Sequence, residues 1–153
     1  MYVKDKQQEN YLNDKNLRLA MGILSISSHF AHLMTLALRR FNLTLPQFNV
    51  LRILAHYAPL PLPLYKITEE MIDKNSNTSR LIEKLEQKQF VIKQYSSNDR
   101  RVVNIYLTEM GKAKLMEASE HLELDFENKL TTSEKKETEK LLALLKSLKG
   151  EKE

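Results

Sequence analysis

The chain contains no cysteine and only three glycines, Gly22, Gly111 and Gly150. The first absence excludes a disulfide framework, a thiol-based redox sensor and any Cys-ligated zinc or iron–sulfur site. The second leaves no glycine-rich phosphate loop, and since no nucleophile stands in a recognisable motif, an enzyme is not expected. No apolar run approaches the roughly 18 residues that span a bilayer. The opening stretch MYVKDKQQEN carries charge with no apolar signal core behind it. These lacks predict a cytoplasmic protein without a membrane partner. Internal repeats and low-complexity segments are missing as well. His29 and His32 lie one helical turn apart, but without a nearby carboxylate or cysteine they make half a metal site, and neither metal nor cofactor is expected.

What is present is a chain of 153 residues with 42% hydrophobic content, enough for one domain, 1–153, with a real core. Its net charge of +4 is modest, but the distribution is uneven. Between Lys74 and Arg101 stand seven cations (Lys74, Arg80, Lys84, Lys88, Lys93, Arg100, Arg101) against three acids (Glu83, Glu86, Asp99). That one segment therefore holds the whole positive excess, the footprint expected of a phosphate-binding surface.

Along the chain, apolar residues recur at helical spacing from Asn13 to about Arg40, through Leu17, Met21, Leu24, Phe30, Leu33 and Ala37. Thr44 and Gln47 have capping-box spacing, with Pro46 in the first turn, and open a second helix that runs to about His56. The stretch APLPLPLY, Ala58 to Tyr65, is read as a stiff non-helical connector because its prolines remove donors and favour extended geometry. YKITEEMI forms a short third helix and DKN a turn. A fourth helix starts at Asn75 or Ser76, with Thr78, Leu81, Ile82 and Leu85 on one face and Asn77, Arg80, Lys84 and Lys88 on the other. The period then changes. VIKQY and VVNIYL alternate apolar with polar residues around the turn-forming SSNDRR, which predicts a β-hairpin with a basic tip. Thr108 caps a helix reaching about Lys129, and Thr131 with Glu134 opens a last, leucine-rich one.

A short helix, a turn, a second helix and a basic-tipped hairpin follow one another in winged helix-turn-helix order. Short polar side chains at the start of the fourth helix suit base edges or phosphates, and its cations suit a nucleic-acid backbone. The plainer reading is a well-capped helix with a solvated basic face, since Ser, Thr and Asn are preferred caps. A hairpin carrying arginine beside that helix favours duplex DNA, because arginine is the side chain that enters a narrow minor groove.

The series LPQFNVLRIL, NTSRLIEKLEQKQFV and DRRVVNIYLTEMG, from about Thr44 to Gly111, resembles the MarR family of bacterial transcriptional regulators. The resemblance implies a mainly α fold with a small antiparallel β-hairpin wing: a winged helix-turn-helix over 44–108, flanked by dimerisation helices in 1–42 and 109–153. It implies a homodimer on a palindromic double-stranded DNA operator, most often as a repressor. The recognition-helix positions fall on Asn75, Ser76, Asn77, Thr78, Ser79, Arg80 and Lys84. The wing positions fall on Lys93, Ser97, Asn98, Asp99, Arg100 and Arg101, with Asp99 orienting Arg101 toward the minor groove. A small aromatic or phenolic ligand is implied too, in a pocket that Phe30, Met34, Phe48 and Leu51 would line.

The sequence departs from the family pattern in places. Gln89 stands where glycine is usual, so either a residue with a Cβ takes a left-handed helix-end geometry or the helix ends differently. The turn before the fourth helix has no glycine, leaving Asp73 or Asn75 to supply any left-handed position. The proline-rich connector is long. A second functional reading is a winged-helix dimer that serves as a protein-interaction module. Steep salt dependence on duplex DNA separates the two.

Overall fold

The computed structural model describes residues 15–95, 101–127, 140 and 143–148. Contacts divide the chain into two units, Met1–Leu115 and Met116–Glu153. The expected wing-tip residues Ser97, Asn98, Asp99 and Arg100 lie outside the described residues, as does the expected last-helix start at Thr131 and Glu134.

Helix α1 covers Lys15–Leu38 and passes into a 3-10 turn, Arg39–Phe41. The turn ends on Asn42 at φ 55°, a left-handed position asparagine tolerates better than most residues. Of α1, only Leu38 is buried, whereas Leu17, Met21, Leu24 and Ile26 are half or more exposed. The expectation of no membrane-length apolar stretch needs correction. Lys15–Phe41 spans 27 residues and contains an 18-residue window of mean hydropathy 1.4, long and apolar enough to cross a bilayer by length and composition. Ser25, Ser27 and Ser28 interrupt any continuous apolar run, yet small hydroxyls subtract little from a window average.

Helix α2, Leu45–Tyr57, begins with the predicted capping box: Thr44 Oγ1 accepts from the Gln47 amide at 3.3 Å, and Gln47 Oε1 accepts from the Thr44 amide at 3.2 Å. One face of α2 supplies the core, with Val50, Leu51 and Leu54 buried against Ile67, Ile82, Leu85 and Ile105. The connector is more than a spacer. Leu62–Pro63 forms strand β1, and Leu64–Glu70, which includes the connector's last two residues, is already helix α3. Tyr57 donates its hydroxyl hydrogen to the Glu70 carboxylate, tying α2 to α3.

Helix α4 covers Thr78–Gln87, strand β2 Val91–Tyr95, strand β3 Val103–Leu107 and helix α5 Glu109–Glu127. The expected hairpin is β2 with β3, in antiparallel register from Val91↔Leu107 to Tyr95↔Val103. The sheet gains a third strand because β1 pairs with the other edge of β3, Leu62 opposite Ile105 and Pro63 opposite Asn104. Proline is tolerated there because β1 is an edge strand. In the second unit, residues 143–148 are helical, and Leu144 and Leu148 are exposed.

Candidate nucleic-acid interface

The turn before α4 is organised by Asp73. Its Oδ1 accepts from the Asn75 amide at 2.9 Å, its Oδ2 from the Ser76 hydroxyl at 3.2 Å, and its backbone oxygen from the Ser76 amide at 3.2 Å. Because side-chain acceptors shape this turn, neither Asp73 nor Asn75 takes the left-handed geometry expected of them. The same bonds delay the helix to Thr78, two or three residues later than expected, with Asn77 as its N-cap accepting from the Arg80 amide at 3.1 Å.

This start redistributes roles among the predicted contact residues. Thr78 is 4% exposed, so it packs with Ile82 and Leu85 and cannot present its side chain outward. The Asn77 side-chain oxygen Oδ1 is occupied as a cap, and the Ser76 hydroxyl is held by Asp73. Asn75, Asn77, Ser79, Arg80 and Lys84 are exposed, and the side chains of Ser79, Arg80 and Lys84 make no hydrogen bond or ion pair among the described residues. Those three, with the remaining amide of Asn77, form the open polar face of α4. A recess of about 320 Å³ runs beside it, bounded by Pro46, Ser76, Asn77, Arg80 and Lys84.

Three cations of the predicted basic segment are committed within the fold, the first being Lys74, whose Nζ donates to the Glu69 carbonyl. Lys88 Nζ donates to the Asn42 carbonyl and to Gln47 Oε1, the latter at 3.1 Å. Its partial burial, and then the Lys84 charge nearby, push its ammonium below the ordinary lysine range. Lys93 pairs with Glu86 at 2.7 Å, and that carboxylate holds the Lys93 ammonium above the ordinary range. Lys93 thus braces the wing strand against α4, which is a structural role that its place in the predicted wing set did not suggest. Arg101 is exposed where the chain re-enters the hairpin.

Of the two helix ends open at Gln89, α4 takes the left-handed one, with φ 62°. The Gln89 amide bonds to Glu86 O at 2.8 Å and the Phe90 amide to Leu85 O at 2.9 Å, the paired bonds of a Schellman cap with glutamine in the glycine position. Thr108 then locks the hairpin's exit beside this cap. Its hydroxyl donates to Gln89 O at 2.7 Å and accepts from the Gly111 amide at 2.9 Å, while its own amide bonds to Phe90 O at 3.1 Å. The four residues expected to line a ligand pocket do not line the recess beside α4. Phe48 and Leu51 are core residues, Met34 is half-buried, and Phe30 is exposed beside the His29 ring.

The MarR family model matches residues 43–103, the span from the end of the 3-10 turn to the start of β3. That segment belongs to the MarR family. An HTH-type transcriptional regulator of Bacillus subtilis (strain 168), YfiV, is 36% identical over 73 residues. The aligned stretch is 48% of this chain and 44% of that relative, so the chain spans under half the length of the curated relative it matches. A MarR-like transcription regulator from Bacillus cereus ATCC 10987 superposes with a TM-score of 0.74 at 23% identity, covering 86% of this chain and 96% of that one. The organohalide-sensing regulator RdhR-CbdbA1625, solved in its 2,4-dichlorophenol-bound form, superposes at 0.73 with 17% identity over 96% of this chain and 86% of its own. These likenesses establish a mainly α MarR-type fold with a small three-stranded antiparallel sheet.

Proposed function

We propose that this chain is a MarR-type transcriptional regulator that binds duplex DNA sequence-specifically as a homodimer, most simply as a repressor. The observation that carries the reading is the outward face of α4. Ser79, Arg80 and Lys84 stand exposed and uncommitted on a helix whose other face is locked into the core by Thr78, Ile82 and Leu85. A rigid helix with a short polar side chain near its start and cations along its body suits a major groove. Ser79 and Asn77 would meet base edges, and Arg80 and Lys84 phosphates or a guanine. Arg101 is the wing residue proposed for the minor groove. The test is the salt dependence of duplex binding: six to ten phosphate contacts weaken it roughly 1,000-fold or more between about 50 and 200 mM salt. A shallow slope, unchanged in Arg80→Ala, would favour a protein-interaction module instead.

The homodimer reading rests on the exposed apolar surface of α1, where Leu17, Met21 and Leu24 on one side and Leu19 and Ile26 on the other are all at least 50% exposed in the single chain. Patches of that size on a soluble protein mark an interaction surface. Light scattering in detergent-free buffer separates the two covers available to such a helix. A monodisperse dimer supports a second copy, and a chain that needs detergent supports a bilayer. A small aromatic effector is supported by the likeness to the dichlorophenol-bound regulator.

A further inference from the structure

The basic face of α4 continues around its C-terminal half into a second recess. A cleft of about 480 Å³ opens between α4, the 3-10 turn and the start of α2, lined by Arg39, Asn42, Thr44, Gln47, Lys84 and Lys88 and by no acidic residue. Its frame is rigid. Leu43 and Leu85 are buried behind it, Asn42 is fixed in its left-handed turn by the bonds Asn42 N to Arg39 O and Leu43 N to Leu38 O, and the capping box fixes Thr44 and Gln47.

Three cations around one recess repel one another unless a counter-ion is present. Lys88 uses two of its three N–H donors, on Asn42 O and Gln47 Oε1, which orients the ammonium at the cleft wall and leaves one donor over. Arg39 and Lys84 have no acidic partner among the described residues. The Thr44 hydroxyl accepts from Gln47 and still carries its own hydrogen to donate. The recess thus offers guanidinium, ammonium and hydroxyl donors and no carboxylate; its neutral acceptors are the side-chain oxygens of Asn42, Gln47 and Gln87, of which that of Gln47 is already engaged by Lys88 and Thr44.

We infer that Arg39, Lys84 and Lys88 form an oxyanion site that takes a phosphate group in the cleft between the end of α4 and the 3-10 turn. Arg39 supplies a planar fork suited to two phosphate oxygens, and the lysines act as point charges. The group has two sources: the phosphodiester of a DNA strand running past α4, or a free phosphorylated small molecule. The site itself stands whether or not the chain binds DNA.

The test titrates the full chain with pyrophosphate while following backbone amide resonances. Saturable shifts at Asn42, Leu43, Thr44, Lys84 and Lys88 are expected, with affinity roughly tenfold weaker in Arg39→Gln and in Lys88→Gln. Lys112→Gln, an exposed change that lines neither cleft, should match the parent. Should Lys88→Gln loosen the Asn42 turn, Lys84→Gln gives the same reading from a side chain with no fold contact of its own. Adding saturating duplex DNA then assigns the source. Displacement of pyrophosphate points to the phosphodiester, and undisturbed binding points to a free phosphate ester. Linear shifts without saturation, or shifts as large in Arg39→Gln and Lys84→Gln as in the parent, overturn the site. Lost DNA binding with intact pyrophosphate binding overturns the DNA reading alone.

Discussion

Gly111 and Gly22 should respond to the same substitution with opposite signs. A Cβ built on Gly111 falls 2.1 Å from the Phe90 carbonyl oxygen, 2.9 Å from its carbon and 3.0 Å from Leu107 Cδ1. Carbon and oxygen meet without strain at about 3.3 Å, so the start of α5 must retreat by about 1 Å. That carbonyl is not free to give way, because it accepts from the Thr108 amide beside a second bond from the Thr108 hydroxyl to Gln89 O. Overpacking costs about 1–3 kcal/mol and the two hydrogen bonds about 1 kcal/mol each. Alanine's better helix propensity returns about 1 kcal/mol. Gly111→Ala should therefore lose about 2–4 kcal/mol, or roughly 5–15 °C in Tm. Gly22 lies inside α1 with nothing within 4 Å of an added Cβ, so Gly22→Ala should gain about 0.5–1 kcal/mol. Urea unfolding followed by circular dichroism reads both. An unchanged midpoint in Gly111→Ala would refute the claim that the α5 start and the hairpin exit are jammed against the α4 cap.

Three further outcomes are expected. Arg80→Ala should weaken DNA binding on all sequences if it meets phosphate, lowering the salt slope by about one, or relax one base position if it meets guanine; an unchanged binding curve removes it from the interface. Gln89→Gly should raise stability by up to about 1 kcal/mol by relieving the left-handed position, whereas Gln89→Val should lower it, measured by urea midpoint. In the folded protein Lys88 should titrate below the ordinary lysine value of 10.5 and Lys93 above it. The sign follows from linkage: Lys93 contributes stability below 10.5 that is lost as pH rises through its folded pKa, while Lys88 opposes folding when charged and the fold gains as it deprotonates. Side-chain NMR titration orders the two, and Glu86→Gln should abolish the upward shift of Lys93 alone.

Local chemistry was readable from the residues wherever a few neighbours decide the geometry. The Thr44–Gln47 box, the Thr108 cap and the hairpin all depend on side chains within a few positions, and the structure carries each of them. The start of α4 was misjudged by a similar short-range competition, since Asp73 offers the backbone acceptors that hold Asn75 and Ser76 in a turn.

Partners distant in sequence were not readable. β1 consists of two residues from a proline-rich stretch, and only pairing with β3, some 40 residues on, makes it a strand. Lys88 and Lys93 looked like members of one basic file. The assignment of Lys88 comes from Gln47, 41 residues away, and that of Lys93 from Glu86 on the preceding helix α4, which the turn at Gln89 folds back onto the strand. Within the expected contact set Thr78 packs inward with Ile82 and Leu85, the face its helical spacing implies, while Ser79 faces out. The apolar reach of α1 was missed because scattered serines hide it from a search for unbroken runs.

The central claim is that the exposed face of α4 reads duplex DNA in a two-fold assembly. Selection of binding sites from a random duplex pool at near-physiological salt, followed by sequencing of the retained DNA, tests it most directly. The account predicts a two-fold symmetric motif with half-sites about one helical turn, roughly 34 Å, apart, and its loss in Arg80→Ala. A folded protein that enriches no motif, or one indifferent to Arg80 and Lys84, would contradict it.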